Sequence, residues 1–384
     1  MLSSIPTAEG RKALVAMSGG VDSSVAAAAM VQAGWDVVGC FMRLGSPDED
    51  LDADTKIGHR GCCSIGDAQD ARLVAADLGI PLYVCNFKDD FGRIIDYFVD
   101  AYAQGRTPNP CVRCNDWLKF GKLHSYARSV GASVVVSGHY ARVDRSGPEP
   151  RFMRGRDHAK DQSYVLFGAP RDRLAEMVLP IGEFEDKQEV RDAAEALGFN
   201  VASKPDSQEI CFVPDDDYAG LVERRRPELV GAGSVLTIDG VPLGEHAGQH
   251  RYTVGQRRGL GIAAAEPLYV VSKDATTNTV TVGGAESLLC ESVEVGEANW
   301  LAALPRDGDR VLVRYRAHGS ECAATITHLP DGGRPTPSGR RGRFALAFAE
   351  PQRAIAAGQA AVLYASDEPD LVLGGGWIES TSNH

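Results

Sequence analysis

The stretch "KALVAMSGGVDSSVAAAAMVQAG", residues 12–34, decides the fold. It opens with a short apolar run, turns at Ser-Gly-Gly, and continues as a helix that stops at Gly34. WDVVGCFMRL (35–44) then has the β-branched and aromatic content of a second strand. Strand, glycine turn, helix, strand is a βαβ unit, in which the two strands run parallel. The alternation continues through DAQDARLVAADLG (67–79, helix), PLYVCNF (81–87, strand), DDFGRIIDYFVDAYAQG (89–105, helix) and ASVVVSGHYA (132–141, strand). Repeated βα units predict an α/β domain with a doubly wound, mostly parallel sheet over residues 1–215.

Beyond residue 215 the helical periodicity fades. SVLTIDGVPLG (234–244) and PLYVVSKDATTNTVTVGG (267–284) are strands joined by Gly, Asn and Asp turns, and they define a small central domain over 216–290. RVLVRYRAHG (310–319), ECAATITHL (321–329), RFALAFAE (343–350) and AAVLYASD (360–367) predict a C-terminal β-barrel-like domain over 291–384. The Pro/Gly-rich, basic stretch 330–342 between two of them is expected to be a mobile hairpin tip.

The 384 residues carry a net charge of -12, with 43% apolar and 24% charged residues. That is the composition of a soluble protein, and no apolar run approaches the roughly 20 residues that span a bilayer. The first residues lack the pattern of a secretory leader, so the expected location is the cytoplasm. Acidity argues against a uniformly basic nucleic-acid binder. Four basic islands, at 151–160, 223–228, 250–259 and 339–344, nevertheless leave room for a local basic face. Nine irregularly spaced cysteines do not form a secreted disulfide framework, and in a reducing compartment most are small buried apolar residues.

The glycine turn has a chemistry of its own. Successive backbone N–H groups at a strand-to-helix turn form an anion nest, and the helix dipole adds to it. Gly19 and Gly20 admit a phosphate without a Cβ clash, and Ser18, Ser23 and Ser24 are candidate hydroxyl donors. The turn is neither a Walker sequence nor a G-x-G-x-x-G fingerprint. A purely structural turn capped by Asp22 or Ser23 is the plainer reading. The flanking strand and helix favour phosphate. The turn is similar to the pyrophosphate loop of the N-type ATP pyrophosphatases, which split ATP between its α and β phosphates. In that setting Asp22 would help to hold Mg²⁺.

Cys111 and Cys114 sit behind Thr-Pro-Asn-Pro in a segment expected to be stiff and extended, ahead of a helix beginning near Asn115. A thiol near a helix N-terminus is acidified and nucleophilic. Cys211 lies in a second polar loop, KPDSQEICFVPDDD (204–217). No second C-x-x-C or His pair supports zinc. An iron–sulfur cluster on Cys111, Cys114 and Cys211 is one way to use three thiols, and a two-cysteine sulfur relay fits at least as well. Cys40 and Cys85 lie in apolar strands and should be buried, whereas Cys62 and Cys63 have no evident partner.

MSGGVDSS (17–24), GRTPNPCVRCN (105–115), SGHYAR (137–142), KDQSYVLF (160–167), KPDSQEICF (204–212), YTVGQRRGLG (252–261) and GQAAVLY (358–364) occur together and in that order. Together they resemble the tRNA-specific 2-thiouridylase family, which replaces an oxygen of the wobble uridine by sulfur at the expense of ATP. The resemblance implies that Ala16, Met17, Ser18, Gly19, Gly20, Val21, Asp22, Ser23, Met42 and Gly138 bind ATP. It implies Cys114 as nucleophile and Cys211 as persulfide carrier, supplied by a sulfur-donor protein. His139, Lys160, Asp161, Gln162, Arg314, Tyr315 and Gln359 would contact tRNA, and Asn109, Pro110 and Cys111 would face the target base. The family commonly has Asp where this chain has Cys111, which weakens a base-recognition role there. A related enzyme adenylating a small molecule would use the same glycine turn but leave the loop cysteines idle.

Overall fold

The computed structural model describes residues 5–45, 64–205, 210–213, 217–331 and 338–383. Cys62 and Cys63 lie outside the described residues, as does the centre of the expected hairpin tip at 332–337. The chain forms two compact units. One comprises Met1–Ile94, Cys111–Asp216 and Asp370–Val372; the other comprises Ile95–Pro110, Asp217–Pro369 and Leu373–His384.

In the first unit the elements run β1 (Lys12–Ala16), α1 (Val21–Gln32), β2 (Asp36–Arg43), α2 (Ile65–Asp77) and β3 (Leu82–Asn86). Helix α3 (Lys88–Ala103) follows, and the division between the units falls within it. A short helix α4 (Pro110–Arg113) leads into a π-helical segment, Cys114–Lys122, and then into α5 (Leu123–Ser129). After these come β4 (Ala132–Val136), the hairpin β5 (Ala141–Asp144) and β6 (Arg151–Arg154), α6 (Ser163–Leu166), β7 (Met177–Val178) and α7 (Lys187–Ala196). The sheet order is β3-β2-β1-β4-β7, with every pairing parallel.

Central strand β1 is apolar throughout its last four residues because both faces are covered. Helix α1 packs closely through four successive alanines that are 0 to 3% exposed, and Gly34 at φ +80° terminates it. The chain winds outward from β1 through β2 to β3, then returns to place β4 on the other side of β1. The carboxyl ends of β1 and β4 therefore flank a topological switch point, where open α/β sheets present their ligand crevice.

The second unit begins its C-terminal portion with α8 (Tyr218–Arg225). A four-stranded sheet follows, β8 (Gly233–Thr237), β9 (Pro242–His246), β10 (Tyr269–Asp274) and β11 (Thr279–Gly283), ordered β10-β11-β8-β9. Its small core contains Val235, Leu260, Val270, Val280 and Val282. The last six strands are β12 (Leu289–Trp300), β13 (Arg310–Arg314), β14 (Cys322–Leu329), β15 (Arg343–Arg353), β16 (Ala360–Ala365) and β17 (Val372–Asn383). They close into a barrel ordered β12-β15-β14-β13-β16-β17. Alternate residues fill it, among them Val293, Val311, Val313, Ile326, Phe344, Leu346 and Leu363. The doubly wound sheet, the small central sheet and the barrel agree with the sequence reading.

Two expectations change. Cys111 and Cys114 do not sit in an extended loop. Pro110 is the first residue of α4, where its missing N–H costs nothing, and the helix continues through both cysteines. Cys85 is only half buried, because β3 is the edge strand of its sheet, whereas Cys40 on β2 is fully buried.

Phe344 is 0% exposed within the barrel, and its ring centroid lies 5.3 Å from that of Trp300. Phe344→Ala is expected to destabilise the barrel by about 3–5 kcal/mol in chemical denaturation. A loss below about 1 kcal/mol would contradict this packing.

Candidate nucleotide and thiol site

Ala16 ends β1 and Met17 follows it, both buried, with the Met17 N–H donating to the Cys40 carbonyl at 2.9 Å. The chain then turns through Ser18, Gly19 and Gly20 into α1. Gly19 adopts φ +75°, and a Cβ there would lie 2.2 Å from the Asp67 carbonyl oxygen. Gly138, two residues past β4, approaches the same turn from the other strand. A Cβ on Gly138 would lie 2.6 Å from the Ser23 nitrogen and 2.7 Å from the Asp22 carbonyl carbon. These contacts are backbone against backbone, so only glycine fits at either position.

The N-cap of α1 is Gly20, with no side-chain cap, so neither Asp22 nor Ser23 plays that role. Ser23 and Ser24 are turned inward. Ser23 Oγ donates to the Gly20 carbonyl at 3.0 Å and accepts from the Ser18 N–H at 3.2 Å, while Ser24 Oγ donates to the same carbonyl at 2.9 Å. Ser24 is fully buried, and Ser18 is the exposed serine of the turn. Val21 is buried in the first turn of α1, and Met42, near the end of β2, is half buried.

Two lysines that the sequence reading did not single out meet this turn. Lys187, the first residue of α7, places its ammonium 2.7 and 2.8 Å from the two carboxylate oxygens of Asp22, and Tyr140 donates to the same carboxylate at 2.8 Å. Lys204 donates to the Gly19 carbonyl at 2.8 Å, to Asp67 at 2.7 Å and to Asp70 at 2.6 Å. Burial lowers the Lys204 pKa, but its bonds to Asp67 and Asp70 outweigh that and leave it raised. Lys204 thus fixes the glycine turn to α2. It also opens the segment KPDSQEICF, which carries Cys211.

Cys114 is half buried at the start of the π-helical segment, Cys111 is exposed, and Cys211 is half buried. The wide turn closes at Gly121, where a Cβ would lie 2.9 Å from the Asp116 carbonyl oxygen five residues back. π-Helical turns recur at functional sites. Lys119, five residues past Cys114, puts its ammonium 3.4 Å from His139 Nε2. Burial holds the His139 pKa well below its usual value, and the Lys119 charge adds to the effect. The neutral ring then carries its proton on Nδ1, donates to Ser137 Oγ at 2.8 Å and accepts at Nε2. The segment bearing Cys114 and the end of β4 therefore meet at His139.

Several expected tRNA contacts are engaged within the protein. Asp161 is 9% exposed and accepts from the Gly155 and Ser163 N–H groups and from the Ser163 hydroxyl. Gln162 accepts from the Tyr140 N–H at 2.9 Å, whereas Lys160 remains exposed. In the second unit Arg314 is 6% exposed, paired with Glu321 and lying over the Tyr364 ring, while Tyr315 donates to Gln352 at 3.2 Å. Gln359 donates from Nε2 to the Thr107 carbonyl at 3.1 Å, two residues before Asn109. Asn109 is half buried and Pro110 buried. Among the described residues no three His, Cys, Asp or Glu side chains converge as a metal site requires. No helix among the described residues is long and apolar enough to cross a membrane.

Three family models match the chain in succession. They describe a tRNA methyl transferase HUP domain (residues 11–215), a tRNA methyl transferase PRC-barrel domain (221–284) and an aminomethyltransferase beta-barrel domain (291–378). The tRNA-specific 2-thiouridylase MnmA of Rhodopirellula baltica is 42% identical over 400 residues, covering 97% of each chain. Its counterpart from Geotalea uraniireducens is 43% identical, covering 97% of this chain and 96% of the relative. That from Geobacter metallireducens is 44% identical, covering 96% and 97% respectively.

Gly138→Ala is expected to displace the turn and raise the ATP dissociation constant roughly tenfold or more, measured by calorimetry. Gly92→Ala, where a Cβ meets nothing within 4 Å, should leave it unchanged. Equal affinities for the two variants would refute the backbone contact. A second expectation concerns pH. Because the folded-state pKa of His139 lies below the unfolded value of about 6.5, only the unfolded chain gains its proton just below that pH. Stability should therefore fall as pH drops through about 6.5, and His139→Gln should flatten that part of the melting-temperature profile. Parallel profiles for the two proteins would remove His139 from the account.

Proposed function

The chain belongs to the tRNA-specific 2-thiouridylase family, whose enzymes are tRNA sulfurtransferases, and from that premise we propose that it thiolates the wobble uridine of tRNA at the expense of ATP. The observation that carries the proposal is the match to 2-thiouridylases over 96 to 97% of this chain at 42 to 44% identity. The first 215 residues would carry the ATP chemistry, and residues 216–290 and 291–384 would contribute tRNA contacts.

Uracil O2 is a poor leaving group. Its attack on the α-phosphate of ATP forms an O2-adenylate and releases pyrophosphate, which the N–H groups of Gly19, Gly20 and Val21 are suited to receive. Ala16, Met17, Ser18, Ser23, Met42 and Gly138 would complete the nucleotide site. Asp22 is the carboxylate suited to Mg²⁺, which would neutralise phosphate charge when bound. Lys187, now on Asp22, is a further cation within reach of the turn.

In the second half, Cys211 would carry a persulfide received from a donor protein. Its terminal sulfur attacks C2 while the Cys114 thiolate attacks the sulfur of Cys211. The persulfide S–S bond breaks, a Cys114–Cys211 disulfide forms, and AMP leaves with the former O2. A dithiol reductant restores both thiols. Cys114 lies one turn into a helical segment, within reach of the partial positive charge at its N-terminus, which supports this role. Asn109, Pro110 and Cys111 would border the target base. Of the remaining residues expected to contact tRNA, Lys160 is the most accessible. His139, Asp161, Gln162, Arg314, Tyr315 and Gln359 would act chiefly by holding the surfaces that carry the contact.

Cys114→Ser and Cys211→Ser are each expected to reduce thiolation of a tRNA substrate to background when persulfide sulfur, ATP and Mg²⁺ are supplied. Adenylation of the tRNA, followed by pyrophosphate release, should survive Cys211→Ser. Thiolation at the wild-type rate by both variants would rule out the relay.

A further inference from the structure

Of the four basic islands in the sequence, three have key arginines neutralised or buried. Arg156 pairs with Glu183 and Glu185, Arg226 with Asp100 and Glu228, and Arg343 with Glu294 and Glu379, while Arg154 is 4% exposed. The island at 250–259 differs. Arg251 pairs with Glu223, but Arg257 and Arg258 are exposed and have no carboxylate within 4.0 Å among the described residues.

The turn that carries them is closed by its own hydrogen bonds. The Gln256 side chain accepts from the Thr253 N–H at 3.0 Å and donates to the Arg258 carbonyl at 2.9 Å, so one amide closes both ends. Gly255 donates to the Val270 carbonyl at 2.8 Å, and Gly255, Gly259 and Gly261 all have positive φ. A Cβ on Gly255 would lie 2.6 Å from Ala354 Cβ, which packs the turn against the connection between β15 and β16.

That connection gathers further arginines of the same unit. Arg353 ends β15 and is exposed. Arg316 donates to the Ala354 carbonyl at 2.6 Å and to the Arg353 carbonyl at 3.4 Å, which leaves its charge uncompensated. Arg106 packs its Cβ against Gly358, 3.0 Å from where a Cβ there would lie. Arg106, Arg316 and Arg353 are likewise exposed and without a carboxylate within 4.0 Å among the described residues.

We propose that Arg106, Arg257, Arg258, Arg316 and Arg353, arranged about residues 353–358, form a docking site for the phosphate backbone of the substrate RNA. The proposal rests on the tRNA reading above and adds a site to it. In a chain of net charge -12, a polyanion is repelled except where cations lack acidic neighbours. Five guanidinium groups without acid partners provide such a region, and guanidinium forks match phosphate oxygens in pairs. The contacts are to backbone, so they would add affinity and orientation rather than base selection.

The test measures tRNA affinity of the full-length chain across salt concentrations, with thiolation followed in parallel. The double variant Arg257→Gln/Arg258→Gln is expected to bind at least about tenfold more weakly at low salt, with a log–log salt slope shallower by about 1.4 to 1.8. Arg106→Gln should make it shallower by about 0.7 to 0.9, and Arg156→Gln, whose charge is already paired, should match wild type. A folded double variant with wild-type affinity and slope, or an equal loss in Arg156→Gln, would overturn the site while wild-type thiolation still upheld the function. Wild type that neither binds nor thiolates tRNA would overturn both. Unchanged tRNA binding with thiolation lost only when sulfur comes from a protein donor would assign the arginines to an acidic protein, and the RNA proposal would fall.

Discussion

Everything proposed for the first unit depends on a backbone packed against backbone at the end of two strands. At Gly19 and at Gly138 there is no volume for a single extra carbon, since the first meets the Asp67 carbonyl and the second the Asp22–Ser23 peptide. The strand order, with β4 on the opposite side of β1 from β2, brings Gly138 against the turn that contains Gly19. Open parallel sheets present their ligand crevice at such a reversal of strand order, and the glycines keep side chains out of this turn. The N–H groups at the head of α1 are the ones proposed to receive an anion.

Charge around the turn is arranged to hold this geometry. Lys204 ties the Gly19 carbonyl to two carboxylates of α2, and Lys187 with Tyr140 occupies the Asp22 carboxylate. A nest of N–H groups needs its carbonyls directed elsewhere, and the bond from Lys204 to Gly19 does this for one of them. The same lysine starts the segment leading to Cys211, so the glycine turn and that segment share an anchor. On the other flank, neutral His139 joins the π-helical segment of Cys114 to the end of β4.

Much of this was legible in the sequence because it is local. Buried parallel strands are continuous apolar runs, and a glycine pair between strand and helix has a compact signature. Four of the six barrel strands have alternating or continuous apolar patterns clear enough to be seen. The other two do not: β12 is interrupted by Gly296 and by Glu297 at φ +51°, and β17 carries three consecutive glycines. Tertiary pairing, not propensity, makes them strands. The roles of Lys187 and Lys204 were equally hidden, since their partners lie 165 and 134 to 185 residues away. The same holds for the basic islands, whose neutralisation depends on acids such as Asp100, which is 126 residues from Arg226. The placement of Cys111 and Cys114 was misjudged because the prolines before them mark the start of a helix as readily as an extended loop. Pro110 does the former.

The central claim is that this chain puts sulfur on the wobble uridine. The most direct measurement is mass analysis of the nucleosides of a tRNA substrate after incubation with the chain, ATP, Mg²⁺ and a persulfide donor. One uridine, at the wobble position, should exchange one oxygen for one sulfur, with AMP and pyrophosphate formed in step. ATP turned over with no sulfur in any nucleoside, or sulfur incorporated elsewhere in the tRNA, would contradict the account.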